Sequence, residues 1–220
     1  MENKIIIRKD GFKLKAMLFR SFESYITRRR GVIHVGANVG EERDWYKEQG
    51  FSQVLWFEPN NNIFSFLVEN IEGYKNQFAF NLGIHDTIKE ANLHISNNAG
   101  QSSSILELGT HLKHHPDVQY IADQKIKLMR MDNFLFLTGR NMKDFNFLNV
   151  DVQGVELNVI KSFGGLLSVL DYIYAEVNEE QLYKGCALVS EIDEYVHKFG
   201  FKRVATCMTK NKWGDAFYMK

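Results

Sequence analysis

Proline is nearly absent from this chain: there are two, Pro59 and Pro116, among 220 residues. No proline-rich linker divides the sequence, and its length suits one sizeable domain. Cysteine is equally scarce, with only Cys186 and Cys207. Neither falls in a zinc-ligand pattern, and a domain of this size needs no disulfide staple, so two free thiols in a reducing compartment are expected. Net charge is also lacking, because 27 basic residues balance 27 acidic ones. That removes the global electrostatic footprint of a nucleic-acid or membrane-surface binder, although a local basic strip remains open. Long apolar runs are missing too. The N-terminal "MENKIIIRKDG" holds three isoleucines before charge interrupts it, which is neither a signal peptide nor a membrane span. A cytoplasmic protein is expected.

What is present has a clear order. Residues 12 to 27 set Leu14, Met17, Leu18, Phe22, Tyr25 and Ile26 at helical spacing. Residues 1–30 are therefore read as an N-terminal helical extension, packed on the domain or, alternatively, facing a membrane or partner. The triplet Arg28-Arg29-Arg30 reads as its solvated end. Over residues 31–220, strand-like runs alternate with helical patterns. "VIHV", "QVLWFE", "FAFNLGI", "FNFLNVD" and "DYIYAEV" read as strands, and "EANLHIS" adds a further β segment. A helix to about Gln49 stops at Gly50. In the next, capped by Asn60 or Asn61, Ile63, Phe64, Leu67, Val68 and Ile71 share one face. A third carries Val159, Ile160 and Phe163, and a last one with Leu188, Ile192, Tyr195, Val196 and Phe199 stops at Gly200. "FKRVATCM" and "DAFYMK" close the chain around the turn "TKNKWG". The pattern predicts an α/β, doubly wound, mostly parallel seven-stranded sheet with a C-terminal antiparallel hairpin.

In such sheets ligands bind beyond the carboxyl ends of the strands. The first strand-to-helix turn reads Gly36-Ala37-Asn38-Val39-Gly40. A dinucleotide fingerprint from Gly36 would need glycine at 38 and 41, where Asn38 and Glu41 stand, and a P-loop would need a lysine that is missing. Glu41 and Glu42 on the first helical turn would also repel a phosphate. S-adenosylmethionine fits better: it carries no phosphate, it is cationic at sulfur, and its carboxylate can take turn N–H groups. Glu58, ending the second strand, suits its two ribose hydroxyls.

The motifs "HVGANVG", "WFEPN", "NLGIHD", "FLNVDVQGVELNVIKSF" and "YAEVNEEQLYKG" occur in the order seen in the FkbM-type methyltransferases, and the chain resembles that family from about Gly31 to Lys220. The resemblance implies a class I methyltransferase (Rossmann-like) domain over residues 31–220. It also implies S-adenosylmethionine as donor and transfer to oxygen, commonly on a sugar. It puts Gly36, Ala37, Asn38, Gly40 and Glu58 at the donor, Gly83 and Ile84 beside the adenine, and Asp151 at the reaction centre. Two departures stand out. His34 replaces an acidic residue, and the family's Lys-x-Asp-x-Glu-Gly reads Asn149-x-Asp151-x-Gln153-Gly154 here.

Asp151 and Glu176 end neighbouring strands. They can act as general base and orienting group, or with Asn178 they can hold a magnesium or manganese ion that acidifies the hydroxyl. The polar stretch "NNAGQSSSILELGTHLKHHPDVQY" reads as a lid or substrate wall. Within it, Gln101 is a candidate for the acceptor and Ser103, with Asn60 outside it, for the donor. His111, His114 and His115 do not form a recognised zinc set, although a histidine base from this stretch rivals Asp151. Tyr183 and Asp215 are candidates for the acceptor pocket. The expected partner is a sugar or glycan acceptor, with no nucleic acid and no membrane span, and a homodimer is open. RNA methylation and a non-catalytic donor-binding module are the alternatives.

Overall fold

The computed structural model describes residues 4–7 and 22–220. Along the chain lie β1 (Lys4–Ile7), β2 (Gly31–Val35), α1 (Arg43–Glu48), β3 (Gln53–Phe57), α2 (Asn61–Ile71), β4 (Gln77–Phe80), β5 (Gly83–Ile84) and β6 (Lys89–Ser96). They are followed by α3 (His111–His114), β7 (Tyr120–Met129), α4 (Met131–Thr138), β8 (Phe145–Val150) and α5 (Glu156–Lys161). The chain ends with β9 (Tyr172–Asn178), α6 (Val189–His197), β10 (Lys202–Met208) and β11 (Trp213–Met219). Among the described residues no helix is long and apolar enough to cross a membrane.

β2, β8 and β9 are buried along their whole length, which is why they read as nearly unbroken apolar runs. Their side chains alternate between two cores. Ile33, Val35, Leu148 and Val150 enter one, while Val32, Phe147 and Tyr174 enter the other. The expected sheet has the order β10-β11-β9-β8-β2-β3-β4, with β1 added outside β10. β2, β3, β4, β8 and β9 run parallel, and β11 lies antiparallel between β9 and β10. Strand order thus reverses between β2 and β8, and their carboxyl ends open the crevice where ligands sit in folds of this kind.

Several expectations need correction. Most of the helix read over residues 12 to 27 lies outside the described residues. Its described end is the α-helical Phe22 followed by one 3-10 turn, Glu23–Tyr25. The three arginines that follow do not end a helix. Arg28 pairs with Asp171 at 3.0 Å, and Arg30 donates to the Val169 carbonyl at 2.9 Å. Phe22 stacks on Phe217 with ring centroids 5.0 Å apart. In α2, Leu67 and Ile71 are buried but Val68 is 45% exposed, so the apolar face is narrower than its spacing suggested.

"FAFNLGI" is not one strand. β4 ends at Phe80, Asn81 donates to the Glu58 and Pro59 carbonyls, and Gly83 and Ile84 pair with Leu128 and Met129 of β7 instead. A second sheet, β5-β7-β6, results.

Candidate active site

The turn after β2 folds back on the end of β3. The Gly36 and Ala37 N–H groups both donate to the Phe57 carbonyl at 3.0 Å. Gly36 has φ +80°, and a Cβ there would stand 1.7 Å from the Asp151 carbonyl oxygen. Only glycine permits that approach. It brings the end of β8 against the end of β2, where the Asp151 N–H donates to the Val35 carbonyl at 3.0 Å. Asn38 takes a left-handed backbone at φ +46°, a conformation asparagine tolerates, and its Oδ1 accepts the Val39 N–H at 2.8 Å.

Glu58 closes the turn from the other side. Its Oε2 accepts the Asn38 N–H at 2.9 Å and its Oε1 the Asn60 N–H at 2.8 Å. Burial pushes this carboxyl up to about 7, against the pull of those two N–H groups. Each oxygen retains a further acceptor position.

The second cluster follows β8. The Gln153 amide Nε2 donates to Asp151 Oδ1 at 2.7 Å and to Glu176 Oε2 at 3.0 Å, while its Oε1 accepts the Tyr183 hydroxyl at 2.6 Å. Gln153 sits at φ +56°, left-handed and strained for a residue with a Cβ. Its neighbours hold it there. Glu156 Oε1 accepts the Val152 and Gly154 N–H groups at 3.1 and 2.9 Å, and Ser104 Oγ donates to the Gln153 carbonyl at 2.7 Å. Burial, reinforced by the Asp151 charge, raises the carboxyls of both Glu156 and Glu176. Asp215 of β11 lies opposite Glu176 in register and is buried.

The long polar stretch is a built wall. Gly109 and His111 N–H groups donate to the Leu182 carbonyl at 2.7 and 3.2 Å, Thr110 N–H to that of Gln181 at 3.0 Å, and Lys184 N–H to that of Glu107 at 2.8 Å. A Cβ on Gly109 would stand 2.3 Å from the Gln181 carbonyl oxygen. His111 is buried with its Nδ1 unpartnered among the described residues. Burial lowers it to about 4, with His115 and His114 adding to the shift, so it is neutral near pH 7. His114 turns away to pair with Glu180.

Turn, cluster and wall enclose one cavity of about 460 Å³. Eleven of the residues expected at a site lie on its surface: Gly36, Asn38, Glu58, Gly83, Ile84 and Ser103 from the donor set, with Asp151, Glu176, Gln101, Tyr183 and Asp215. Ala37, Gly40 and Asn60 do not; they act one step back. Ala37 supplies a turn hydrogen bond. Gly40 at φ +72° packs on Leu67. Asn60 caps α2 and gives its N–H to Glu58.

Asn178 is a correction. It is fully buried in β9, opposite Trp213, away from the cavity surface and with neither amide atom partnered among the described residues. Of the expected metal set, Asp151 and Glu176 share the cavity surface and Asn178 does not. No group of three His, Cys, Asp or Glu side chains able to hold a metal occurs among the described residues.

Sequence reasoning passed over Gln153 as a site residue, although its place two positions after Asp151 was a usable signal. It also passed over Trp213, which only the β9–β11 register brings to the cavity.

The family model described as the Methyltransferase FkbM domain matches residues 34–203. The 2-O-methyltransferase NoeI of Sinorhizobium fredii (strain NBRC 101917 / NGR234) is 25% identical over 161 residues, covering 70% of this chain and 65% of its own. The match thus spans slightly less than two thirds of that relative. Among solved structures, Streptococcus pneumoniae Sp1610 is a candidate tRNA (m1A22) methyltransferase in complex with S-adenosyl-L-methionine. It aligns with a TM-score of 0.52 at 9% identity over 92% of this chain and 72% of that one. Magnesium protoporphyrin IX methyltransferase (ChlM) of Synechocystis PCC 6803 aligns with a TM-score of 0.50 at 10% identity over 94% and 80% of the two chains. These likenesses establish the class I methyltransferase fold and nothing finer.

Proposed function

The chain belongs to the FkbM methyltransferase family, and from that premise we propose that it methylates a hydroxyl of a sugar or glycan, with S-adenosylmethionine as donor. The observation that carries this reading is convergence: the glycine turn, Glu58 and the Asp151–Gln153–Glu176 bridge all open onto one cavity. The name of the relative NoeI, a 2-O-methyltransferase, supports oxygen as the acceptor atom.

The residues present suit the donor. The Gly36 position leaves no room for a side chain, so main chain lines the turn. Glu58 keeps one acceptor position on each oxygen for a ribose hydroxyl. Carboxylates around the cavity favour a cationic guest. When bound, S-adenosylmethionine supplies a methyl group on a sulfonium, which is open to in-line attack.

The protein's own residues then do three things. The wall and Tyr183 exclude water and hold the acceptor ring, with the Trp213 and Tyr183 rings offering faces on which a sugar packs. Asp151 accepts the hydroxyl proton as the oxygen–methyl bond forms and the sulfur–methyl bond breaks. Glu176, tied to Asp151 through Gln153, orients the pair. Neutral His111 is the rival proton acceptor.

The test is transfer of label from methyl-labelled donor to a panel of monosaccharides, oligosaccharides and RNA. Label on a sugar oxygen is expected. Label on RNA alone, or donor binding with no transfer to any acceptor, overturns the reading.

A further inference from the structure

Resting on Asp151 and Glu176 as the reaction centre, we propose that the side-chain amide of Gln153 fills the position between these carboxylates that a divalent cation would otherwise take. The pair is then held by a neutral cross-bridge.

The donor–acceptor pattern around this amide is complete. Carboxylates accept hydrogen bonds and the amide nitrogen has two N–H groups to give, one for each at 2.7 and 3.0 Å. The carbonyl end is taken by the Tyr183 hydroxyl at 2.6 Å. Turning the amide over would set its oxygen against two carboxylate oxygens and forfeit both bonds, so the neighbours fix its orientation. They also fix its place, because the left-handed backbone of Gln153 is held by Ser104 on its carbonyl and by Glu156 on the N–H groups either side. A residue carried at φ +56° and tied on every side is built for that one position.

A hard divalent cation needs about six oxygen ligands. The two carboxylates here already meet amide hydrogens, and the Asn178 amide is not on the cavity surface. What the cation would do electrostatically, drawing the two carboxyl groups to one centre, the amide N–H groups do by hydrogen bonding. Gln153 is thus a positioning residue, acting on the acceptor through Asp151.

Replacing the amide with a carboxylate of the same shape reverses the pattern. Gln153→Glu places three carboxylates around one point and removes the hydrogens between them. Manganese binding, read by electron paramagnetic resonance on the full chain without donor or acceptor, tests this. The unaltered protein should show no saturable manganese uptake. Folded Gln153→Glu should take up one ion saturably, as an added carboxylate ligand favours a hard cation, and adding Asp151→Asn should remove it.

Saturable uptake by the unaltered protein that Asp151→Asn abolishes would overturn the proposal, since the Gln153 oxygen would then be a ligand. A folded Gln153→Glu with no gain in affinity would overturn it too. If that variant does not fold, the titration of the unaltered protein decides alone. Because this readout needs no methyl transfer, it stands or falls separately from the label experiment.

Discussion

The glycine turn and the polar wall face the same cavity but are built by different means. The turn is short-range and made of main chain: residues 36–60 close on themselves through the Phe57 carbonyl, the Glu58 carboxylate and the N–H groups of Asn38 and Asn60. The wall is long-range and presents side chains. Residues 107–111 are latched to residues 181–184, and Trp213 arrives from the last strand. A ligand gripped by main chain demands backbone conformations that few residues allow. A ligand gripped by side chains on a latched frame leaves the frame fixed and its lining free to differ. On the proposed function, donor recognition belongs to the turn and acceptor choice to the wall.

Substitutions can break that contrast, and the largest effect is expected at the turn. Gly36→Ala drives a methyl group into the Asp151 carbonyl, which stands 1.7 Å from the Cβ position. Calorimetry should find donor binding lost and a thermal melt should find the fold weakened by several kcal/mol, on the order of a severe core defect. Donor binding at full strength would sink the main-chain account of the turn.

Next comes the centre. Asp151→Asn should lower kcat by roughly 10²- to 10⁴-fold while donor affinity stays within about threefold, because the group acts on the acceptor proton. Full turnover would transfer the role to His111.

A smaller effect is expected at Glu58. Glu58→Gln should weaken donor binding about tenfold, the scale of one hydrogen bond to a charged group. The pH dependence carries a sign. This carboxyl is raised from its ordinary 4.5 to about 7. Its contribution to the stability of the empty protein is therefore present below about 4.5 and lost as pH rises through about 7. Donor affinity should move the opposite way, strengthening between pH 6 and 8, since ribose hydroxyls donate best to the anion. Glu58→Gln should flatten both profiles, and an unchanged slope would show that another group sets them.

The smallest and most local effect belongs to the wall. Gly109→Ala meets the Gln181 carbonyl at 2.3 Å and should loosen the latch, raising the acceptor KM about threefold to tenfold with donor affinity unaltered. Equal changes in both would mean that turn and wall are one unit.

The same contrast governs what could be read before the fold was known. The turn was legible because its signals are consecutive: Gly36, Asn38 and Glu58 announce themselves within two adjoining strands. Most sheet strands were legible because burial on both faces leaves apolar runs such as "FLNV". β7 was not, because its outward residues Asp123, Lys125 and Lys127 break up an apolar face reduced to Ile126 and Leu128. α4 hid for a related reason, with Phe136 and Leu137 exposed at 85% and 68% rather than on its buried face. The end of "FAFNLGI" was misread because Gly83 and Ile84 leave one sheet to pair in another, a partner choice no local pattern encodes. Asn178 was placed at the site because it follows Glu176 at strand spacing, yet it is fully buried and lies off the cavity surface.

Titration of the purified protein with S-adenosylmethionine and with its demethylated product, followed by calorimetry, meets the central claim most directly. One saturable site for each, with Glu58→Gln weakening both, is the predicted result. No uptake of either compound, beside tight binding of a nucleotide phosphate, would contradict it.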